Sequence, residues 1–398
     1  MKHLWIGVGN SEEEREKIIQ NGGKLLSADV SNDALMVGLY SNGISCDSIN
    51  SSRLPTYPAY KQKRILPYSW KKQDGGEGIS VGYWNFPYIN LLSKTRTLAK
   101  AAKKWAKRNK NEDVTVWVYQ MHSPFMKAAD AVKKIIPSAK IVLIVPDLPQ
   151  YMDMNMSKLK KALKKIDWIN IQRLMKNVDK YILYSKHMAD FLKLQDGSWM
   201  VMEGSYDANI LLDDNDDRER TDKISVMYSG VLDMRYGIPQ LLDAMKLLDE
   251  RYELWFTGNG NAVELINERA KTDSRIKNFG FLPSRLDLLK KQQEATMLIS
   301  TRDPSEPASK YCFPSKIFEY MVSGNPVIST RIEGIPDEYF EYLIELPDLS
   351  PETISEKIRI VGNMSPEQLR DKGKSSRDFV LTQKNNVEQM KRILKFVL

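Results

Sequence analysis

The chain has 398 residues, 42% hydrophobic and 9% aromatic, which excludes a disordered protein and is too long for one ordinary core, so two domains are expected. Net charge is +8 but uneven: residues 1–200 hold 32 Lys and Arg against 18 Asp and Glu, and the remainder 27 against 33. The basic half suits anionic partners or is simply a soluble lysine-rich surface; the two cysteines, Cys46 and Cys312, lack CxxC spacing, which excludes a zinc knuckle and points to a reducing, cytosolic setting.

The opening MKHLWIGVGNSEEE has a short apolar run and then acids, unlike a signal peptide. No stretch approaches about 18 uninterrupted apolar residues, so no membrane span is expected. Strands are expected at Leu4–Val8, Ala34–Tyr40, Val114–Tyr119, Ile141–Val145 and Tyr181–Tyr184. Further on they are expected at Ser225–Tyr228, Glu253–Thr257, Met297–Ser300 and Pro326–Ser329. Continuous Val/Ile/Leu/Tyr runs are what strands buried on both faces require. Helical patterns lie between them, as in Gln240–Leu248 with Leu241, Leu242, Met245 and Leu248 on one stripe, so the sheets should be parallel α/β sheets.

Two basic helices stand out in the first half. Lys94–Lys110 sets Leu98, Ala101, Ala102 and Trp105 among lysines. Ser157–Asn177 sets Leu159, Leu163, Ile166 and Ile169–Ile171 against Lys158, Lys160, Lys161, Lys164 and Lys165. Each either lies on anionic lipid or covers the sheet with its lysine stems solvated. The polar run Leu211–Asp222 reads as the boundary between halves, and its Asp214-Asn215-Asp216 as part of a solvated linker rather than a metal-binding DxD. The tail begins two helices at Ser350-Pro351-Glu352 and Ser365-Pro366-Glu367, each with an N-cap serine and proline at N1.

The stretch Lys310–Thr330, KYCFPSKIFEYMVSGNPVIST, carries the most chemistry. Pro314 and Ser315 end a loop, Ser315 is the expected N-cap, and Lys316 opens a helix whose apolar face is Ile317, Tyr320 and Met321. A helix N-terminus favours phosphate, and a lysine in the first turn opposes the dipole unless an anion offsets it. Glu319 shares the face of Lys316, where it either accepts hydrogen bonds from ribose hydroxyls or simply favours an early helix position. Upstream, YSGVLDMRYGIPQLL places Gly230, Arg235 and Gly237 at a strand–loop–helix junction. LWFTGNGNAVELI sets Gly258 and Gly260 in another, and NFGFL sets Phe281 in a third. Loops at strand carboxyl ends of an open parallel sheet can converge on one pocket. In the first half, WVYQMHSPF ends a strand at His122, which is either a site residue or a packed cap, and Gly7-Val8-Gly9 follows the first strand.

This series, SGxL…YGI…LLDA, GNG, NFGFL, FPSKIFEYMVSGNPVIST and EGIPDEY, resembles the C-terminal domain of glycosyltransferase family four over Ser225–Tyr339; the first half matches more loosely. The resemblance implies a GT-B fold: two Rossmann-like, doubly wound parallel-sheet domains facing across a cleft. Residues 1–210 would form the acceptor-side domain, 211–380 the nucleotide-sugar domain, and 381–398 a helix returning to the first. It implies that Glu319 binds the donor ribose as second glutamate of an E-x7-E motif, the first falling at Tyr311 with Glu306 nearby. The family's diphosphate-gripping arginine and lysine fall at Val231 and Tyr236, leaving Lys316 and Arg235 as substitutes. His122 would face the donor sugar, and Gly9 would let acceptor or diphosphate approach the backbone.

The activity implied is retaining, metal-independent transfer of a hexose from a nucleoside diphosphate sugar to a hydroxyl of a glycan or lipid-linked glycan, in cell-envelope or exopolysaccharide synthesis. The expected catalytic set is His122, Lys316 and Arg235; the donor-binding set is Glu319, Ser315, Pro314, Gly230, Gly237, Gly258, Gly260, Phe281 and Gly9, with no metal and no cofactor. Partners would be the donor, the acceptor, an anionic surface on the inner face of the membrane and a further copy of the chain, with no nucleic acid, since the basic helices lack interleaved aromatics. A sugar-nucleotide epimerase or phosphorylase on the same fold, or a non-catalytic subunit beside a partner transferase, are the rival readings.

Overall fold

The computed structural model describes residues 1–20, 27–151, 158–210, 212, 223–282 and 284–398; Asp214-Asn215-Asp216 lies outside them. The chain divides into two compact units, Met1–Ser205 with Asn386–Leu398, and Tyr206–Asn385.

The first unit holds strands β1 (Lys2–Gly7), β2 (Asp47–Asn50), β3 (Arg64–Ile65), β4 (Tyr68–Lys71), β5 (Glu77–Ser80), β6 (Tyr83–Trp84), β7 (Val114–Tyr119), β8 (Lys140–Val145), β9 (Lys180–Leu183) and β10 (Trp199–Val201). Its helices are α1 (Glu12–Gln20), α2 (Ser27–Ser41), α3 (Ile89–Arg108), α4 (Ser123–Lys133), α5 (Lys158–Met175) and α6 (His187–Leu192). The main sheet runs β10-β9-β8-β7-β1-β2-β5-β4, with β4 antiparallel to β5 and the other pairings parallel. Strands β7 and β8 are buried along nearly their whole length, as their unbroken apolar runs demand. The chain winds outward from β1 through β2, then restarts at β7 on the other side of β1, so the strand order reverses between β1 and β7.

One expected strand is a helix. Ala34–Tyr40 lies within α2, where Ala34, Leu35 and Leu39 are buried and Ala34 O accepts from Asn386 Nδ2 at 2.8 Å. An apolar run of this length fits either element; here one helical face packs on the returning C-terminal helix. The true second strand, Asp47–Asn50, was hidden by its polar sequence, DSIN.

The second unit holds β11 (Ile224–Val231), β12 (Tyr252–Asn259), β13 (Ile276–Asn278), β14 (Met297–Ser300), β15 (Val327–Thr330) and β16 (Ile344–Leu346). Its helices are α7 (Ile238–Ala244), α8 (Val263–Thr272), α9 (Arg285–Glu294), α10 (Lys316–Val322), α11 (Pro351–Gly362) and α12 (Pro366–Gln383); α13 (Asn386–Val397) belongs to the first unit. The sheet is wholly parallel, in the order β13-β12-β11-β14-β15-β16, and reverses between β11 and β14. Its core packs Val226, Tyr228, Leu254, Phe256, Met297 and Ile299 against Leu241, Leu242 and Met245. Ser350 and Ser365 cap α11 and α12 through their side chains, each with proline following, and Ser365 forms a full capping box with Gln368.

Candidate functional site

In an open parallel sheet the crevice for a ligand opens where the strand order reverses, beyond the strand carboxyl ends. In the second unit that point is the end of β11, at Gly230, beside the end of β14, at Thr301 and Arg302. Helix α10 brings Lys316 to it. Ile317, Tyr320 and Met321 are fully buried, each fixing the helix by roughly 1.5–3 kcal/mol of apolar burial. The Tyr320 hydroxyl both donates to Ser229 O and accepts from Ser229 N at 2.8 Å, tying α10 to β11. Lys316 is thereby laid along β11: its Nζ stands 3.7 Å from the Tyr228 ring centroid, and its Cδ lies 3.9 Å from where a Cβ on Gly230 would be.

Among the described residues Lys316 has no carboxylate within ion-pair distance. Burial, and then the charge of Arg302, push its ammonium down to about 7. Arg302 itself lies 5.4 Å from the Tyr236 ring and donates to Ser309 Oγ at 3.2 Å. Two cations whose charges act on each other, each over an aromatic ring and neither with a carboxylate in ion-pair range among the described residues, make a place for an anion.

Glu319 sits one turn along α10. Its side chain is a quarter exposed and 3.4 Å from Arg285, the first residue of α9; burial lifts its carboxyl above the ordinary range against the pull of that arginine. Arg285 and Gln292 both hydrogen-bond this carboxylate, and its exposed quarter can accept from vicinal hydroxyls, as a ribose presents.

The remaining expected residues divide. Arg235 is not brought to Lys316: its guanidinium forms a two-point pair with Asp233 at 3.0 and 2.9 Å, half exposed, with Glu306 adding to the hold. Arg302, two residues past the buried strand β14, is the cation whose charge bears on Lys316 instead. Ser315 is no side-chain cap: it is already helical at φ −54°, and the first turn begins on Pro314, whose carbonyl accepts from Ile317 N at 2.9 Å. Gly237 precedes α7 with φ 71° and lies against Thr301, whose hydroxyl donates to Tyr236 O at 2.6 Å. Gly258 and Gly260 are glycine for a packing reason. A Cβ on Gly258 would fall 1.8 Å from Gly230 O, and one on Gly260 2.0 Å from Leu232 O, so these turns let two strand-end loops touch backbone to backbone. Phe281 follows Gly280 and is 63% exposed, an aromatic face past the carboxyl end of β13. Tyr311, at the expected first-glutamate position, is buried. Arg302 and Arg285 were missed by sequence reasoning; the position of a charged residue just past a buried strand or at a helix start after a glycine loop was the signal.

In the first unit, His122 precedes α4 at the end of β7, edge-on to Phe125 at 5.0 Å. Burial, with Lys94 and Arg53 beside it, pushes its imidazole down to about 3, so it is neutral near pH 7 and offers hydrogen bonds rather than charge. Gly9 lies against Asn50, whose Nδ2 would be 3.1 Å from an added Cβ.

Residues 223–363 match the model of the family described as Glycosyl transferases group 1. No curated protein matches the chain. Among solved structures, the chain is similar to Anabaena Alr3699/HepE in complex with UDP, at 14% identity, covering 99% of both chains with a TM-score of 0.65. Sucrose-phosphate synthase from Thermosynechococcus elongatus matches at 15% identity over 99% of this chain and 98% of that one, TM-score 0.64. The lipopolysaccharide outer core galactosyltransferase WaaB matches at 14% identity over 100% and 99%, TM-score 0.62. At such identities the likeness is one of fold, and the fold, with two parallel-sheet domains, is GT-B. The class of protein is thus a glycosyltransferase. Its second unit carries the Glycosyl transferases group 1 domain, which spans β11 through α11 and contains the Lys316–Arg302–Glu319 cluster.

Proposed function

We propose that the chain transfers a hexose from a uridine diphosphate sugar to a hydroxyl of a glycan or lipid-linked glycan, with retention and without a metal, in the building of a cell-envelope or extracellular polysaccharide. The observation that carries this reading is the counter-charge-free pair Lys316 and Arg302 at the sheet's reversal point. There they neutralise the departing diphosphate as the bond from C1 to the phosphate oxygen breaks. The acceptor oxygen then bonds to C1 on the same face, and its proton passes to the leaving phosphate oxygen. Glu319 takes the ribose hydroxyls, and Phe281 offers its exposed ring to the base. Within the first unit, the neutral His122 offers hydrogen bonds and Gly9 a close backbone approach to a bound substrate. Support for uridine is that HepE was solved with UDP and with UDP and glucose.

The inner face of an anionic membrane is the proposed location, and the outer face of α5 supports it. Leu163, Ile166 and Ile169 are exposed at 43%, 64% and 54%, among Lys161, Lys164 and Lys165, so this apolar stripe does not cover the sheet. No helix among the described residues is long and apolar enough to cross a membrane.

The test is proton NMR of the product formed from a UDP-hexose and a glycan acceptor, with and without chelator. An anomeric configuration equal to the donor's, at a rate indifferent to chelator, is expected. Inversion, or a rate abolished by chelator, overturns the mechanism. Conversion of donor with no acceptor, or sugar phosphate release on adding phosphate, would mean an epimerase or a phosphorylase.

A further inference from the structure

The first unit has a second cationic cluster that the donor chemistry leaves unused. It lies at the carboxyl ends of β1, β2 and β7, where that sheet reverses. Arg53 lies three residues past the end of β2, and Lys94 reaches over from the second turn of α3. The Lys94 ammonium donates to Ser52 O at 3.2 Å and lies 4.2 Å from the Tyr83 ring centroid. Among the described residues neither Lys94 nor Arg53 has a carboxylate within 4.0 Å, and Glu14, whose charge reaches Tyr60, lies 3.8 Å from Lys17. Burial and Arg53 push Lys94 down to about 8, and Lys94 and Arg53 together depress His122.

Two polar atoms at the end of β2, two or three residues before Arg53, are also unspent. Asn50 and Ser51 are 0% and 2% exposed, yet Asn50 Oδ1 and Ser51 Oγ have no hydrogen-bond partner among the described residues. A buried hydroxyl without a partner forfeits the hydrogen bonds that water would give it, and such groups are rare in folded chains. The turn that delivers His122 is strained as well: Gln120 adopts φ 79°, with His122 N donating to its carbonyl at 2.8 Å. Unmatched cations, an unmatched hydroxyl and a strained turn share one strand-end edge.

We propose that Arg53, Lys94 and Ser51 Oγ bind a phosphate group carried by the acceptor. Two cations match the charge of a phosphate monoester, about −1.5 to −2, whereas a carboxylate would leave one of them unmatched. Arginine supplies the planar fork that grips two oxygens, and lysine the point charge for a third. The proposal rests on the glycosyltransferase reading for the word acceptor; the anion site itself does not.

The experiment titrates inorganic phosphate calorimetrically into the full chain carrying Lys316→Met and Arg302→Ala, so that both donor-site cations are absent, and into the same chain with Arg53→Gln or Lys94→Gln added. Phosphate binding should weaken about tenfold or more with either addition. A parallel titration of UDP into the wild type and into Arg53→Gln should give equal affinities. Thermal melts report folding, and if Lys94→Gln does not fold, Arg53→Gln carries the test. Competition with a hexose 6-phosphate would make the acceptor a soluble sugar phosphate; competition with a short-chain prenyl phosphate alone would make it a lipid phosphate. Phosphate affinity unmoved by both substitutions overturns the inference. Loss of UDP binding in the wild type, with phosphate still answering to Arg53, overturns the donor reading and leaves the anion site standing.

Discussion

Lys316 provides the sharpest pH-dependent consequence of the donor site. In the unliganded chain its ammonium has a pKa of about 7 against an ordinary value of 10.5, lowered by burial and by Arg302. A diphosphate seated between the two cations reverses both causes and draws the pKa back up. At pH 8 a lysine of pKa near 7 is only about 9% protonated, so binding takes up about 0.9 proton per site if the complex restores the ordinary value. The sign follows directly: nucleotide affinity is highest below pH 7, where the ammonium is already charged, and falls by up to about tenfold per pH unit from 7 toward 10.5. The terminal phosphate of UDP, ionising near pH ~6, contributes little at pH 8. The assay is calorimetric titration of UDP at pH 8 in buffers of different ionisation enthalpy, repeated at pH 6.5, where Lys316 uptake should shrink to about a quarter of a proton. Lys316→Met should abolish the uptake and weaken binding by about 10- to 100-fold, the worth of a hydrogen bond to a charged group. Tight binding at pH 8 with no proton uptake would refute the placement of the diphosphate against Lys316.

The two arginines separate cleanly: Arg302→Ala should lower UDP affinity by tenfold or more and raise the Lys316 pKa, while Arg235→Ala, which breaks only the exposed pair with Asp233, should change affinity less than about threefold. Equilibrium titration of both variants decides it, and the opposite ranking would put the diphosphate at Arg235. Gly258→Ala drives a Cβ to 1.8 Å from Gly230 O at a φ of +138°, so a loss of about 3 kcal/mol or more, seen as a fall in Tm of about 6–12 °C, is expected; an unchanged melt would mean the two loops do not touch. Ile166→Glu on α5 should reduce sedimentation with anionic vesicles at least severalfold and leave UDP affinity unchanged; unaltered sedimentation would remove α5 from the membrane contact.

The architecture was legible because strands buried on both faces must be continuous apolar runs, and Val114–Tyr119 and Met297–Ser300 are strands over the expected residues. Where a run such as ALMVGLY satisfies a helix equally well, length and neighbours decide, and packing of α2 against α13 is a tertiary fact that no local pattern contains. Strand β2 escaped for the opposite reason: DSIN is polar, yet Ser48, Ile49 and Asn50 are buried because the hydroxyl and amide bond each other at 3.1 Å inside the sheet. At the site, Lys316 stood out as a cation opposing its own helix, whereas Arg302 reaches the same corner because the sheet order sets β14 beside β11. Arg235 lies just past the end of β11, but Asp233, two residues before it, holds its guanidinium. The glycines of the GNG turn show a related limit, since a sequence does not distinguish a glycine that admits a ligand from one that admits another backbone.

The most direct test of a donor site built on α10 is calorimetric titration of the wild type and Glu319→Ala with a panel of nucleoside diphosphates and their sugars, chelator present. Micromolar binding of one nucleotide, weakened tenfold or more in the variant, is the expected result, since a ribose held by two hydrogen bonds to a half-buried carboxylate loses both. No binding across the panel, or binding indifferent to Glu319, would contradict the account and leave a glycosyltransferase fold serving as a non-catalytic subunit.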